Sequence, residues 1–211
     1  MLYHQWAPTQ HSLAAIWRIE EDESFFSNIT GPASDRIRHP KKRLEHLCGR
    51  FLLHHLRDDF PLLHIAPDLH DKPRLPDDQY FFSISHSHPY VAVVVSDREE
   101  CGIDLQVWKD NIAEIAHMFL SKQEQALFRD SQHLTLAWCA KEAVYKWYGR
   151  RGNDFIRDMP IHGVGAEIRE TAIPEIPIHM HCYGHAITVN SSLHRDFAMA
   201  LFIEDRPGVN E

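Results

Sequence analysis

The spacing of apolar residues along the chain predicts two long helices. Leu44, Leu47 and Phe51 recur at helical intervals, which predicts a helix over residues 41–57. A second run with the same period predicts a helix over residues 134–149. Both predicted helices are long enough to cover one face of a small sheet.

Short apolar or alternating stretches bounded by turn residues predict strands in most of the remaining chain. These predicted strands lie at residues 12–19, 80–85, 90–96, 102–107, 176–183, 185–191 and 197–204. The three in the middle follow one another through turn-like loops, so we expect them to form one meander. Between them and the second long helix, Ser121 and Glu124 have the spacing of a capping box, which predicts the start of a short helix.

The order of these elements predicts an α+β fold made of two similar lobes. Each half of the chain runs from a strand through a helical region and a long helix to further strands. Because short strands and tight turns favour antiparallel pairing, each lobe is expected to be an antiparallel sheet with a long helix packed on it. We place the lobes at residues 1–98 and 99–211.

Composition and charge narrow the class of protein. The 211 residues are 44% apolar and 25% charged, and they contain neither a membrane-length apolar run nor the basic and apolar start of a secretory signal. The four cysteines are scattered, which predicts reduced thiols. The net charge of −8 argues against a nucleic-acid-binding protein. We therefore expect a cytoplasmic protein that binds neither nucleic acid nor membranes.

One basic segment stands out against this acidic background. Residues 36–43 carry five formal positive charges and no acid, and Arg50 and Arg57 follow on the predicted helix. In an acidic protein such a cluster indicates a binding site for a small polyanion. A solvated basic helix face is the alternative interpretation of the same pattern.

Two acidic positions are candidates for binding a metal ion. Strand alternation places Asp104 and Gln106 on one face of the predicted strand 102–107, pointing away from the core. On the second long helix, Glu142 and Lys146 are neighbours at i and i+4, which is also the pattern of an ordinary solvated pair. Carboxylates on adjacent elements suit Mg²⁺, which proteins hold through one or two carboxylates together with substrate phosphates.

Five short motifs follow one another along the chain: KKRLEHLCGR at 41–50, DKPRL at 71–75, FSISHS at 82–87, GIDLQ at 102–106 and WCAKEAVYKW at 138–147. This ordered set resembles the 4′-phosphopantetheinyl transferase superfamily. Their order, together with the length of the chain, is similar to the larger, pseudo-dimeric Sfp-type members. The resemblance implies a pseudo-twofold, monomeric fold with the nucleotide end of coenzyme A in the first lobe and the metal and catalytic residues in the second.

The resemblance also implies a reaction, its cofactor and its partners. The family transfers the 4′-phosphopantetheine arm of coenzyme A to a serine of an acyl or peptidyl carrier protein, with Mg²⁺, and releases 3′,5′-ADP. This is the activity of a holo-[acyl-carrier-protein] synthase. A catalytically silent module that binds coenzyme A or a carrier protein is the alternative.

Site residues follow from the matching motif positions. Asp104 and Glu142 are implied as metal ligands, Lys146 as the lysine beside the scissile phosphate, and Glu142 as a candidate base. The implied contacts of coenzyme A are Arg43, Arg50, Lys72, Pro73, Ser85, His86 and Lys141. The chain departs from the family pattern at Gln106, where Glu is frequent, and at Asp71, where Gly is common. We expect Gln106 to face the metal, directly or through water.

A histidine-rich segment allows a different metal hypothesis. His179 and His181 share a strand face, and Cys182 with His185 could complete a zinc set. The spacing fits no common zinc module, and a solvent-facing strand explains it more simply.

Overall fold

The computed structural model describes residues 1–169 and 173–204 as an α+β protein. The helices are α1 (Glu23–Thr30), α2 (Pro40–Leu56), α3 (Ile112–Ile115), α4 (Lys122–Gln125) and α5 (Ser131–Tyr148), with 3₁₀ turns at Leu62–His64 and Ala116–Met118. The strands are β1 (Leu2–Thr9), β2 (Ser12–Arg18), β3 (Ala66–Pro67), β4 (Pro73–Arg74), β5 (Phe81–Ser87), β6 (Tyr90–Ser96), β7 (Glu100–Val107), β8 (Ile161–Val164), β9 (Ile176–Cys182), β10 (His185–Leu193) and β11 (Phe197–Glu204).

The chain divides into two compact units near residue 101. Met1–Cys101 belongs to the first, called unit 1 below, and Gly102–Ile203 forms the second, called unit 2. The assignment of the nucleotide end to residues 1–98 and of the catalytic groups to residues 99–211 stays a prediction.

Unit 1 is built on a four-stranded antiparallel sheet in the order β1-β2-β6-β5. Helix α2 packs on this sheet through a buried face that includes Leu47, Leu52 and Leu53, and the core continues into Val91 and Val93 of β6. Pro40 at the start of α2 suits the first turn, where its missing N–H costs no intrahelical hydrogen bond. The predicted helix over 41–57 is thus confirmed.

Unit 2 contains a five-stranded sheet in the order β7-β11-β10-β9-β8. Helix α5 packs against it through Ala140, Val144 and Trp147, which are almost fully buried. The Asp130 side chain caps the first turn by accepting a hydrogen bond from the His133 N–H at 3.0 Å. These contacts fix α5 over the sheet, and the second predicted long helix is confirmed.

The predicted three-strand meander is wrong. Strands β5 and β6 pair with each other, but β7 lies beside β11 in the sheet of unit 2. The reason is that β6 is already hydrogen-bonded to β2 on one side and to β5 on the other, so it offers no edge to β7. This places the GIDLQ segment under α5.

Four strands of the described residues escape sequence prediction: the two-residue strands β3 and β4, and the strands β1 and β8. β1 carries Pro8 and several polar residues and is an edge strand, and apolar and polar residues do not alternate regularly along its sequence. β8 is short and contains Gly163, which reads as part of a loop. Among the described residues, no helix has both the length and the apolar character needed to cross a membrane.

Candidate active site

The polar residues of β7 lie beneath α5 because Gly102 lets the strand approach the helix closely. A Cβ atom at Gly102 would overlap the backbone carbonyl of Ala143 and lie 2.6 Å from the Trp147 backbone nitrogen. The next residue on this face, Asp104, is only 2% exposed. The prediction that this face points away from the core is therefore wrong: both faces of β7 are covered.

An ion pair joins β7 to α5 within unit 2. The Lys146 ammonium lies 2.7 Å from Asp104 Oδ1 and 3.0 Å from the Ile103 carbonyl oxygen. On the other carboxylate oxygen, the Gln106 side-chain amide donates a hydrogen bond of 3.2 Å. Asp104 and Gln106 therefore share a face, as alternation predicts, and Gln106 orients the carboxylate.

Glu142 shares the electrostatic environment of this pair. Burial raises its pKa, and the negative charge of Asp104 raises it further, while Lys146 partly offsets both effects, giving a pKa of about 7. A carboxyl with this pKa exchanges protons readily near neutral pH. The cluster thus combines two mutually repelling acids with one lysine.

This donor set fits a hard divalent cation. Two carboxylates are the typical protein ligands of Mg²⁺, and a cation would relieve the repulsion that raises the pKa of Glu142. Gln106 adds an amide but no charge. No group of three or more histidine, cysteine or acidic side chains able to hold a metal occurs among the described residues, so the fit rests on two carboxylates.

Lys141, the neighbour of Glu142, belongs to a separate buried network. Its ammonium is fully buried and lies 2.6 Å from Glu124 Oε1, 2.7 Å from the Phe119 carbonyl and 2.8 Å from the Phe155 carbonyl. These three partners surround the charge with protein groups. The environment favours a structural role, whereas the implied contact with coenzyme A stays a prediction.

Glu124 links this network to the capping box. Its carboxylate accepts hydrogen bonds from the backbone N–H groups of Ser121 and Ile161 and receives Lys141. Burial opposes ionisation, but these hydrogen bonds outweigh it and hold the pKa of Glu124 below its usual value. The predicted capping box is confirmed, and its acid also joins α4 to α5 and β8.

Replacing Lys141 with Ala should destabilise unit 2, because the Glu124 carboxylate would be left buried without its cation. Breaking a buried pair in this way costs about 3–5 kcal/mol. The free energy of unfolding, measured by urea denaturation, checks this result. Lys122→Ala, which removes an exposed lysine from α4, is the matched control and should change stability little. Equal stability of both variants would contradict the structural role of Lys141.

A second group of polar residues surrounds a cavity of about 450 Å³ in unit 1. Strand alternation directs Phe82, Ile84 and His86 of β5 toward it, and α2 contributes four polar side chains. The cavity is lined by Ile37, Lys42, Glu45, His46, Arg50, Ile65, Pro73, Phe82, Ile84 and His86. Apolar walls with a few convergent polar groups are typical of sites for small organic ligands.

The predicted ligand residues of the first lobe are distributed unevenly around this cavity. Arg50, Pro73 and His86 line it. Arg43 does not: its guanidinium forms a bidentate ion pair with Glu23 and so ties α2 to α1. Arg50 is held toward the cavity by donating to His46 Nε2 at 2.9 Å and to a backbone carbonyl at 3.0 Å.

Lys72 and Ser85 are placed by neighbouring contacts. The Lys72 ammonium lies 2.8 Å from Glu100 Oε2, and Arg74 lies 2.7 Å from the other oxygen of the same carboxylate. Glu100 thereby anchors the short β3–β4 hairpin that carries Pro73. Ser85 is buried on the face of β5 opposite to His86.

Of three further polar residues of the cavity, sequence reasoning included Lys42 only as part of the basic segment 36–43 and missed Glu45 and His46. Lys42, Glu45 and His46 belong to the predicted helix, and the spacing of Lys42 and Glu45 with Arg50 already places them near one face. The helical spacing therefore indicates that these polar residues share one face of α2, but it does not show which strand lies opposite that face. Glu45, an acid in a basic segment, is the most informative of the three.

The histidine-rich segment does not form the alternative zinc site within the described residues. Cys182 is buried, whereas His185 is exposed. His181 instead contacts the ring of His162 on β8, with ring centroids 4.6 Å apart. The solvent-facing strand remains the interpretation of this segment.

Comparison with known proteins supports the resemblance read from the motifs. The family model of the 4′-phosphopantetheinyl transferase superfamily matches residues 100–202. Proteins named enterobactin synthase component D are also similar. The relative from Salmonella typhi is 33% identical over 57% of this chain and 55% of its own length, and that from Salmonella typhimurium is 34% identical over the same shares.

The relative from Salmonella austin is 36% identical over 57% of this chain and 54% of its own length. The chain thus matches the relatives over about half of their length. The family match covers β7 and α5, the two elements that bring Asp104, Glu142 and Lys146 together. Residues 100–202 are thus similar to the 4′-phosphopantetheinyl transferase superfamily.

Proposed function

We propose that this protein transfers the 4′-phosphopantetheine arm of coenzyme A to a serine of an acyl or peptidyl carrier protein and releases 3′,5′-ADP. The observation that carries the proposal is the grouping of Asp104, Glu142 and Lys146 between β7 and α5. The family match over the same elements supports it. The similar proteins from Salmonella are named as a component of enterobactin synthase.

The cluster in unit 2 has the groups that phosphoryl transfer requires. Such reactions depend mainly on positioning and on neutralisation of charge. Asp104 and Glu142 would hold Mg²⁺, which supplies positive charge against the pyrophosphate of coenzyme A when bound. Lys146 supplies a second positive charge, beside the oxygen of the departing 3′,5′-ADP. Glu142 is also the candidate base for the proton of the carrier serine.

In the same proposal the cavity of unit 1 holds the nucleotide end of coenzyme A. Arg50 and Lys42 offer positive charge to phosphates, while Pro73 and Phe82 offer apolar surface. Each unit has its own sheet and its own long helix, which supports our proposal that the protein belongs to the larger Sfp-type class. We further propose that the protein acts as a cytoplasmic monomer.

The proposal is tested by incubating the protein with coenzyme A, Mg²⁺ and an apo carrier protein and then weighing the carrier. The carrier should gain the mass of one phosphopantetheinyl group, and a carrier with its acceptor serine replaced by Ala should gain none. A catalytically silent module would bind coenzyme A or the carrier and leave the mass unchanged.

Gln106→Glu should tighten Mg²⁺ binding in the absence of coenzyme A. The new carboxylate would stand where an amide now lies 3.2 Å from Asp104 Oδ2, and a cation would offset the added repulsion. Transfer need not become faster, because tighter binding in the ground state does not by itself lower the barrier. Calorimetric titration of Mg²⁺ into both proteins measures the effect. Unchanged affinity would show that position 106 does not face the metal.

Arg50→Ala should weaken the binding of coenzyme A more than that of dephospho-coenzyme A if Arg50 contacts the 3′-phosphate. Hydrogen bonds to charged groups contribute about 1.5–3 kcal/mol, which calorimetry resolves. Arg43→Ala is the contrast, because the Arg43 guanidinium is bonded to Glu23 and does not line the cavity. Equal weakening of both ligands by Arg50→Ala would move its contact to the pyrophosphate.

A further inference from the structure

A buried acid lies in the wall of the cavity that is proposed to receive phosphates. The Glu45 side chain is only 4% exposed, and its Oε2 lies 2.8 Å from the Lys42 ammonium and 3.2 Å from His86 Nδ1. By charge alone, a carboxylate at this place should repel an anionic ligand. Its presence needs another explanation, and the contact with His86 offers one.

The neighbouring histidine, His46, is held in the neutral form. Its Nε2 accepts a hydrogen bond from Arg50 Nε, which requires a lone pair on that nitrogen. Burial lowers the pKa of His46, and the positive charges of Arg50 and His86 lower it further. Of the two histidines at the cavity, His86 is therefore the one placed to carry a proton.

We propose that Glu45 is a positioning residue that keeps His86 protonated and oriented, so that the imidazolium binds a phosphate of the nucleotide ligand. The proposal rests on the proposed function, which supplies that ligand. The titratable and charged groups of α2 that line the cavity together with His86 are Lys42, Glu45, His46 and Arg50. Lys42 and Arg50 oppose protonation, and the carboxylate in contact with Nδ1 favours it.

The chemistry follows from the two nitrogens of the ring. An imidazolium whose Nδ1 lies 3.2 Å from the Glu45 carboxylate forms an ion pair with it and carries a second N–H at Nε2. The His86 side chain is 42% exposed and lines the cavity, so its ring is accessible to a ligand, whereas the acid behind it is not. Glu45 therefore favours the charged form of His86 at the wall of the cavity.

Simple electrostatics and this proposal predict opposite effects of Glu45→Gln on the affinity for an anionic ligand. Removing a negative charge from an anion site should tighten anion binding at every pH if Glu45 acts through its charge alone. If Glu45 acts through His86, binding should weaken near pH 8 and recover in acid, where His86 takes up a proton without help. An opposite charge at such a distance shifts the pKa of a titratable group by about one unit or more. Because one unit changes the protonated fraction about tenfold above the pKa, we expect Glu45→Gln to lower the affinity about tenfold near pH 8.

The test uses adenosine 3′,5′-bisphosphate as the probe, which requires neither metal nor turnover. Its affinity for the wild type, Glu45→Gln, His86→Ala and the double variant is measured by calorimetry from about pH 5.5 to about pH 8.5. Glu45→Gln should weaken binding only while His86 is present, and it should not do so in the His86→Ala background. Tighter binding of the single variant at all pH values would overturn the proposal.

A direct measurement keeps the inference testable if Glu45→Gln does not fold. In the wild type, NMR titration of the His86 ring should show an imidazolium at neutral pH, and a neutral ring there would overturn the proposal. If the wild type does not bind the bisphosphate at all, the proposed function fails at this cavity. The titration of the ring then still decides the role of Glu45.

Discussion

Glu142→Gln should reduce transfer to the carrier by roughly 10²–10³-fold, the range seen when one electrostatic contact to a transition state is removed. The change keeps the shape of the side chain and removes the charge that would hold the metal and take the serine proton. Asp104→Asn should have a similar effect and should also leave Lys146 without its ion-pair partner. Initial rates of carrier modification, measured at saturating coenzyme A, give the ratio.

The matched control for this loss is Glu114→Gln, which removes an exposed acid from α3 in the same unit. Its rate should equal that of the wild type, and thermal unfolding should show that all three variants fold. A Glu142→Gln protein that folds normally and modifies its carrier at a near-normal rate would remove Glu142 from the active site.

Gly102→Ala should prevent β7 from packing under α5. The added Cβ would meet the backbone of the helix at Ala143 and Trp147, and neither atom belongs to a flexible side chain that could move aside. Overpacking of well-packed cores costs about 1–3 kcal/mol and occasionally more, and contact with helix backbone places this variant at the upper end. We expect a large loss of stability, measured by urea denaturation, together with loss of transfer.

Gly163→Ala serves as the control in the same unit. Its Cβ would lie 3.4 Å from the nearest atom of His179, an ordinary van der Waals distance. Because alanine restricts the unfolded chain, this variant should be as stable as the wild type or slightly more stable. If Gly102→Ala behaved in the same way, the close approach of β7 and α5 would be wrong.

The two long helices could be predicted from sequence because their apolar spacing is strong. α2 and α5 begin and end within a few residues of the predicted bounds, and the capping box at Ser121 is present. Alternation also predicted that Asp104 and Gln106 share a face. These features depend on the local spacing of residues, which can be seen in a single sequence.

The surroundings of these elements could not be predicted in the same way. Alternation shows which residues of β7 share a face, but it does not show which strand pairs with β7. Because β2 occupies the edge of β6 that β5 leaves open, β7 joins the second sheet instead. Lys141 and Glu142 are likewise neighbours in one sequence motif. In the structure, however, the Lys141 ammonium contacts Glu124 and two backbone carbonyl groups. Pairing between distant segments, rather than local pattern, determines these contacts.

Quantifying both products of one reaction tests the central claim most directly. Wild type, Mg²⁺, coenzyme A and an apo carrier protein are mixed, and modified carrier and released 3′,5′-ADP are measured together over time. The account predicts that both products appear in equal amounts, and that Glu142→Gln forms neither at a comparable rate. Binding of coenzyme A with no modified carrier and no 3′,5′-ADP would contradict it.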